Sequence, residues 1–209
     1  IEPTTRCNAT CGTCSRSSIA SDKLKVDLSL TTTKKILETF PDLTFIRLIG
    51  LGEVFLNPQI EDILKLFKER SIKVWIITNG SLLRNEKVRR LIHQYIYDVG
   101  ISIDSTEKEA FKEIRPMGKI GLDEVLAGIQ LLIKERNERK SNVIIGIHNT
   151  TNDLNYQNIP DLGSLCIHLG VDYLAVGFME NWLVRGDPNY QETADRIHTA
   201  LQYIPFIKK

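Results

Sequence analysis

Charge of one sign is the first thing this sequence lacks. Its 27 lysines and arginines face 26 aspartates and glutamates, a formal net of +1 over 209 residues, so no large field advertises DNA, RNA or an anionic membrane as partner. A long nucleic acid would call for a basic tract, and there is none. Long hydrophobic runs are missing too: nothing approaches the about 18 apolar residues that cross a bilayer, and no secretory n-region, h-region and cleavage site lead in. The expectation is a cytoplasmic protein with a small or neutral partner. Internal repeats and low-complexity tracts are absent, and cysteine is scarce, at four residues. The hydrophobic content of 42% suffices for one substantial core, so a single domain over 1–209 is expected. Because the chain starts at Ile1 without Met and ends on FIKK, that domain is expected to be cut short at both ends, with a C-terminal segment of the full-length protein missing.

What is present alternates. Short β-branched runs, TFIRLIG (44–50), KVWIITN (73–79), DVGISID (98–104), NVIIGIHN (142–149) and YLAVGFM (173–179), read as buried strands, and the opening IEPTT is a weaker sixth. Between them Ile60, Ile63, Leu64 and Phe67, then Val88, Leu91, Ile92 and Tyr95, then Leu122, Val125, Leu126, Ile129 and Ile133 recur at helical spacing. Pro58 suits the first turn of the first of these helices, and the charged stretch KERNERK (134–140) reads as a solvated helix end. Such alternation predicts an α/β fold, a parallel-stranded partial (β/α)6 TIM-like barrel. Parallel α/β folds bind ligands at the carboxyl ends of their strands. The unusual residues fall there: the cysteines, then GLGE, TNG, SIDS, HNTT and MENW.

Cys7, Cys11 and Cys14 form C-x3-C-x2-C, with the remaining thiol far away at Cys166. Disulfides do not suit three thiols packed this closely with one remote partner and no secretory context. Structural zinc wants four ligands, and the nearest histidine in sequence is His93. A cubane iron–sulfur cluster takes thiolates at its irons, usually four. Three would leave one iron open for a substrate or cofactor, and the small residues Ala9, Thr10, Gly12 and Thr13 let the loop wrap the cube. Cys166 falls at the spacing of Leu162, Leu165 and Leu169, the apolar stripe of a helix, where it reads as core. A hydrogen-atom donor is the alternative role.

C-x3-C-x2-C after a first strand, GLGE after the second and TNG after the third resemble the radical S-adenosylmethionine (SAM) enzymes, in particular their SPASM/twitch-like branch, whose openings read much like IEPTTRCN. The resemblance runs from about Ile1 to Met179. It implies a [4Fe–4S] cluster on Cys7, Cys11 and Cys14, SAM chelating the open iron through its amino and carboxylate groups, and an electron donor of the flavodoxin or ferredoxin type. Reductive cleavage of SAM would then release a 5′-deoxyadenosyl radical that abstracts a substrate hydrogen. Two features depart from the pattern. Thr13 stands where many members carry an aromatic residue before the last cysteine, and no cysteine-rich extension follows through Lys209. A noncatalytic iron–sulfur or zinc-binding module, kept for redox sensing or scaffolding, is the rival reading.

Further cofactor contacts follow from the strand ends. Gly50 and Gly52 would let the backbone approach the methionine end of SAM while Glu53 meets its ammonium; an ordinary glycine turn is the plainer reading. Thr78 and Asn79 would belong to the same pocket, the helical run from Arg84 arguing against a hairpin at Asn-Gly. Ser102 and Asp104 alternate on one face, towards the ribose hydroxyls or towards each other as a buried pair. Arg115 resembles the family arginine that binds the SAM carboxylate, although a surface arginine ending a helix looks the same. Asn149 could touch the adenosine. His148, Glu180, Trp182 and Arg185 are the substrate candidates, offering charge, hydrogen bonds and a stacking surface suited to a peptide or a small polar metabolite.

Overall fold

The computed structural model describes residues 1–152 and 154–178. Glu180, Trp182 and Arg185 lie outside the described residues. Five parallel strands, β1 (Phe45–Leu48), β2 (Lys73–Thr78), β3 (Asp98–Ser102), β4 (Ile144–Thr151) and β5 (Tyr173–Phe178), form one sheet in sequence order. Among the described residues six α-helices accompany them: α1 (Leu30–Thr39), α2 (Ile60–Glu69), α3 (Glu86–Tyr95), α4 (Lys108–Ile114), α5 (Leu122–Arg139) and α6 (Ile159–Leu169). Sequential order with right-handed crossovers keeps the helices on one side, which makes a singly wound, barrel-like sheet rather than a doubly wound one.

Strand parity sorts the side chains. Ile46, Leu48, Val74, Ile76, Val99, Ile101, Ile145 and Ile147 are buried and join the helix residues Ile63, Leu64, Phe67, Leu91, Ile92, Val125, Ile129 and Leu132 in one core. The opposite parity carries Arg47, Trp75, Gly100, Ser102, Gly146, His148 and Tyr173. The glycines there make room for rings: a Cβ on Gly100 would lie 2.3 Å from the His148 imidazole, and one on Gly146 would lie 2.1 Å from the Tyr173 ring.

The expected sixth strand is reduced to a single rung. Ile1 donates its amino N–H to Arg47 O at 2.8 Å and its carbonyl accepts from Ile49 N at 3.2 Å, the parallel pattern at one residue. Beyond it the opening segment turns to pair antiparallel at Thr4 and Asp27. Asn57 Nδ2 ties both stretches together through Pro3 O and Leu28 O. Pro3 ends the ladder because it has no N–H to give.

Two helices have weak sequence patterns. The sequence of α1, LTTTKKILET, starts at a Ser29 cap that accepts from Thr32 N, and α4 has seven residues with only Phe111 and Ile114 buried. Pro58 precedes the α2 cap Gln59 instead of entering the first turn. The 134–140 stretch is less solvated than its charge implies, since Glu135 pairs with Arg89 and Arg136 with Asp172. Cys166 is buried at 1% exposure on α6, and burial pushes its thiol up to about 12. Among the described residues no helix is long and apolar enough to cross a membrane.

Candidate cofactor site

A cavity of about 570 Å³ opens at the carboxyl ends of the strands. Its wall includes Cys7, Cys11, Cys14, Gly50, Gly52, Glu53, Thr78, Asn79, Ser102 and Arg115, ten residues the sequence pointed to, and also Ala9, Thr13, Ile49, Leu51, Ile77 and Thr150. The aliphatic members carried no signal, because nothing in a sequence separates a pocket-lining Ile77 from a core isoleucine. Thr150 belongs to the HNTT stretch at a strand end, and it follows His148 by two on the sheet face that bears Ser102.

The cysteine loop is fixed from several directions. Glu53 N donates to Arg6 O at 2.7 Å, Thr10 N donates to Pro116 O at 3.0 Å just past α4, and Thr5 N donates to Val26 O at 2.9 Å. Asn79 Nδ2 donates to Asn8 Oδ1 at 2.9 Å and reaches Cys7 Sγ at 3.9 Å. Arg16 N donates to Cys14 Sγ at 3.5 Å. All three thiols are free and half-buried. Burial pushes the Cys11 thiol up; the Arg115 guanidinium pulls it back, and the neighbouring Cys7 and Cys14 thiols push it up again.

The GLGE glycines line the cavity and also sit against the opening segment. A Cβ on Gly52 would stand 2.1 Å from Thr4 O and 2.6 Å from Arg6 O, both backbone atoms of the segment that carries the thiols. At Gly50 the obstacle is only the flexible Glu2 side chain, at 2.5 Å, whose Oε1 accepts from Leu51 N. Gly52 is therefore the contact point between the β1 loop and the cysteine segment. Gly52→Ala should destabilise the fold by roughly 1–3 kcal/mol through overpacking, and urea unfolding of the variant checks it.

Glu53, at 2% exposure, accepts from Thr78 Oγ1 and from Asn79 N, each at 2.8 Å. Burial pushes its carboxyl up, against the pull of these donors. The pair of oxygens thus bridges the ends of β1 and β2, and a carboxylate retains lone pairs for one more donor. Asp104 and Asn149 are not brought to the cavity. Asp104 is fully buried behind the wall, accepting from Arg115 Nε at 2.5 Å through one oxygen and from Thr150 N at 2.7 Å through the other. Asn149 Nδ2 donates to Asp104 O at 3.2 Å and its Oδ1 accepts from Thr151. Both residues brace the ends of β3 and β4. Arg115 caps the end of α4 as the sequence allowed, yet its side chain is 13% exposed and turned to the cavity wall. His148 lies deeper in the sheet, against Trp75 and Tyr173 with Nε2 at 3.1 Å from the Tyr173 hydroxyl, and does not line the cavity.

The donor set fits an iron–sulfur cluster. Three adjacent thiolates repel one another unless a cationic centre takes them, and a metal deprotonates its thiols outright. Among the described residues no three His, Cys, Asp or Glu side chains converge tightly enough for a single metal ion, whereas a cubane offers a separate iron to each thiolate. A chamber of about 110 Å³ lies among the three thiols, Ala9, Thr10 and Leu51.

Fold and site together define a singly wound α/β protein with a thiol-lined mouth beside a polar cavity. The chain belongs to the radical SAM superfamily, whose family model matches residues 1–155; the enzymes of that superfamily use a [4Fe–4S] cluster and SAM. It is 30% identical over 187 residues to the tungsten-containing aldehyde ferredoxin oxidoreductase cofactor-modifying protein of Pyrococcus furiosus, covering 84% of this chain and 49% of that protein. It is 29% identical over 185 residues to a GTP 3′,8-cyclase of Clostridium perfringens, covering 86% of this chain and 54% of the cyclase. The chain thus spans about half the length of these curated relatives. Streptococcus suis SuiB bound to its precursor peptide SuiA shares the fold, with a TM-score of 0.71, 18% identity, and coverage of 97% of this chain and 45% of that one.

Proposed function

We propose that this chain is the catalytic core of a radical SAM enzyme that abstracts a hydrogen atom from a peptide or a small polar substrate. One observation carries the reading: the three thiols, Glu53, Ser102, Thr150 and Arg115 all border one cavity at the carboxyl ends of parallel strands. Cys7, Cys11 and Cys14 would hold the [4Fe–4S] cluster and leave one iron for SAM. When bound, that pair supplies a 5′-deoxyadenosyl radical by one-electron cleavage of the sulfonium carbon–sulfur bond, the electron coming from a flavodoxin- or ferredoxin-type donor.

The chain's own residues bind, orient and exclude water. Glu53, held by Thr78 and Asn79, would accept from the SAM ammonium with its remaining lone pairs. Arg115, steadied by Asp104, would meet the carboxylate end, and the hydroxyls of Ser102 and Thr150 on the cavity wall would serve the sugar. Ile49, Leu51 and Ile77 give the apolar wall that a dry site requires. Glu53→Gln should weaken SAM binding by roughly 1–3 kcal/mol, the range of a charge-assisted hydrogen bond, with iron content unchanged. Calorimetric titration of the reconstituted variant reads this directly, and wild-type affinity would leave Glu53 a purely structural bridge.

For the substrate, the peptide reading draws on SuiB, seen with a precursor peptide, and on the IEPTTRCN opening. The small-metabolite reading draws on the relative named for a GTP cyclisation. The near-neutral charge of +1 suits either. Reduced, reconstituted protein is to be incubated with SAM and deuterated candidates of both classes, and deuterium in 5′-deoxyadenosine identifies the substrate. Absence of SAM cleavage under strong reduction would hand the chain to the noncatalytic binding-module alternative.

A further inference from the structure

The chamber among the thiols has a charged wall. Arg16 and Ser17 border it together with Cys7, Cys11, Cys14 and Leu51. Arg16 is locked in place: its backbone N–H points at Cys14 Sγ, and its guanidinium Nε donates to Thr5 O at 3.0 Å. Two other arginines near the thiols are paired with carboxylates, Arg6 with Asp27 at 2.9 Å and Arg115 with Asp104 at 2.5 Å. Arg16 borders the chamber and has no carboxylate within ion-pair distance among the described residues.

We infer that Arg16 sets the reduction potential of the cluster, acting as a positioning residue for charge and not as a ligand. The inference rests on the cluster reading above. Reduction adds one electron from the external donor and makes the thiolate-bound group more negative by one charge. A fixed guanidinium beside a partly desolvated site favours that reduced form, because net local charge and hydrogen bonds to sulfur are the levers that move such potentials. Nothing in the C-x3-C-x2-C spacing would single Arg16 out; the turn that Cys14 caps over Ser15–Ser18 places it on the chamber wall.

The test compares wild type, Arg16→Gln and Arg16→Lys after anaerobic reconstitution. Iron per chain is measured first, then the midpoint potential by a mediated dithionite titration followed by electron paramagnetic resonance. All three should hold the same iron; the Gln variant should titrate at a more negative potential and the Lys variant close to wild type. A Gln variant with full iron and the wild-type midpoint overturns the inference. So does a Gln variant that cannot take up iron, since the guanidinium then serves to build the loop. Failure of wild type itself to bind a cluster brings down the cluster reading, an outcome separated from the others by the iron assay alone.

Discussion

Exchanging any one of Cys7, Cys11 and Cys14 for Ala should abolish the cluster and with it all SAM cleavage. Anaerobically reconstituted wild type is expected to hold about four irons per chain, as one cubane requires. Removing one thiolate leaves a second iron without a protein ligand, and the Asn79 amide N–H and Arg16 N–H that reach the sulfurs are hydrogen-bond donors that cannot replace it. Cys166→Ala is the control: that thiol sits in the α6 core at 1% exposure, and its elevated pKa of about 12 keeps it protonated. Iron content should be unchanged in that variant. Iron, sulfide and absorbance measurements on the four variants decide the matter. Tight stoichiometric zinc with no iron-dependent absorbance in wild type would refute the cluster assignment.

Asp104→Asn should cost about 3–5 kcal/mol of stability, the usual penalty for removing one partner of a buried ion pair. Asp104 is fully buried, and its two oxygens hold Arg115 Nε and Thr150 N at once. An amide can still accept one of these hydrogen bonds, but it neutralises no charge, so Arg115 is left buried beside an NH2 group or must swing towards the cavity. The urea midpoint should fall with an unchanged slope, and SAM affinity should fall with it, since Arg115 and Thr150 both border the cavity. Stability equal to wild type would mean that Arg115 finds another partner and that Asp104 is not its anchor.

Position along the strands was legible because it depends on parity and chain order. Ser102 and Asp104 share a parity, and from sequence they look like two arms of one sugar site. In the structure only Ser102 reaches the cavity, since β3 ends at Ser102 and the chain beyond it leaves the pleat. His148 and Asn149 at the end of β4 point to opposite faces, and neither lines the cavity: the first packs on Trp75 and Tyr173, the second on Asp104. Gly52 was legible as a close-approach glycine, but the atoms it approaches, Thr4 O and Arg6 O, are some 46 to 48 residues earlier in the chain, a pairing that no local pattern encodes.

The sequence by itself determined the parallel α/β class, the order of the strands, the cluster of three thiols and the loops that share the mouth with them. Hydrophobic periodicity and residue spacing are local quantities, set by pleat and helix geometry, and they survive in one dimension. Only the tertiary structure decided which carboxylate faces the cavity and which is spent inside the wall. It decided, too, that the opening segment adds one rung where a strand was expected, and that Arg16 borders the thiols without a carboxylate partner among the described residues while Arg6 and Arg115 pair with Asp27 and Asp104. Those outcomes depend on partners 11 to 48 residues apart, competing for the same few donors and acceptors, and that competition is settled only when the whole chain has packed.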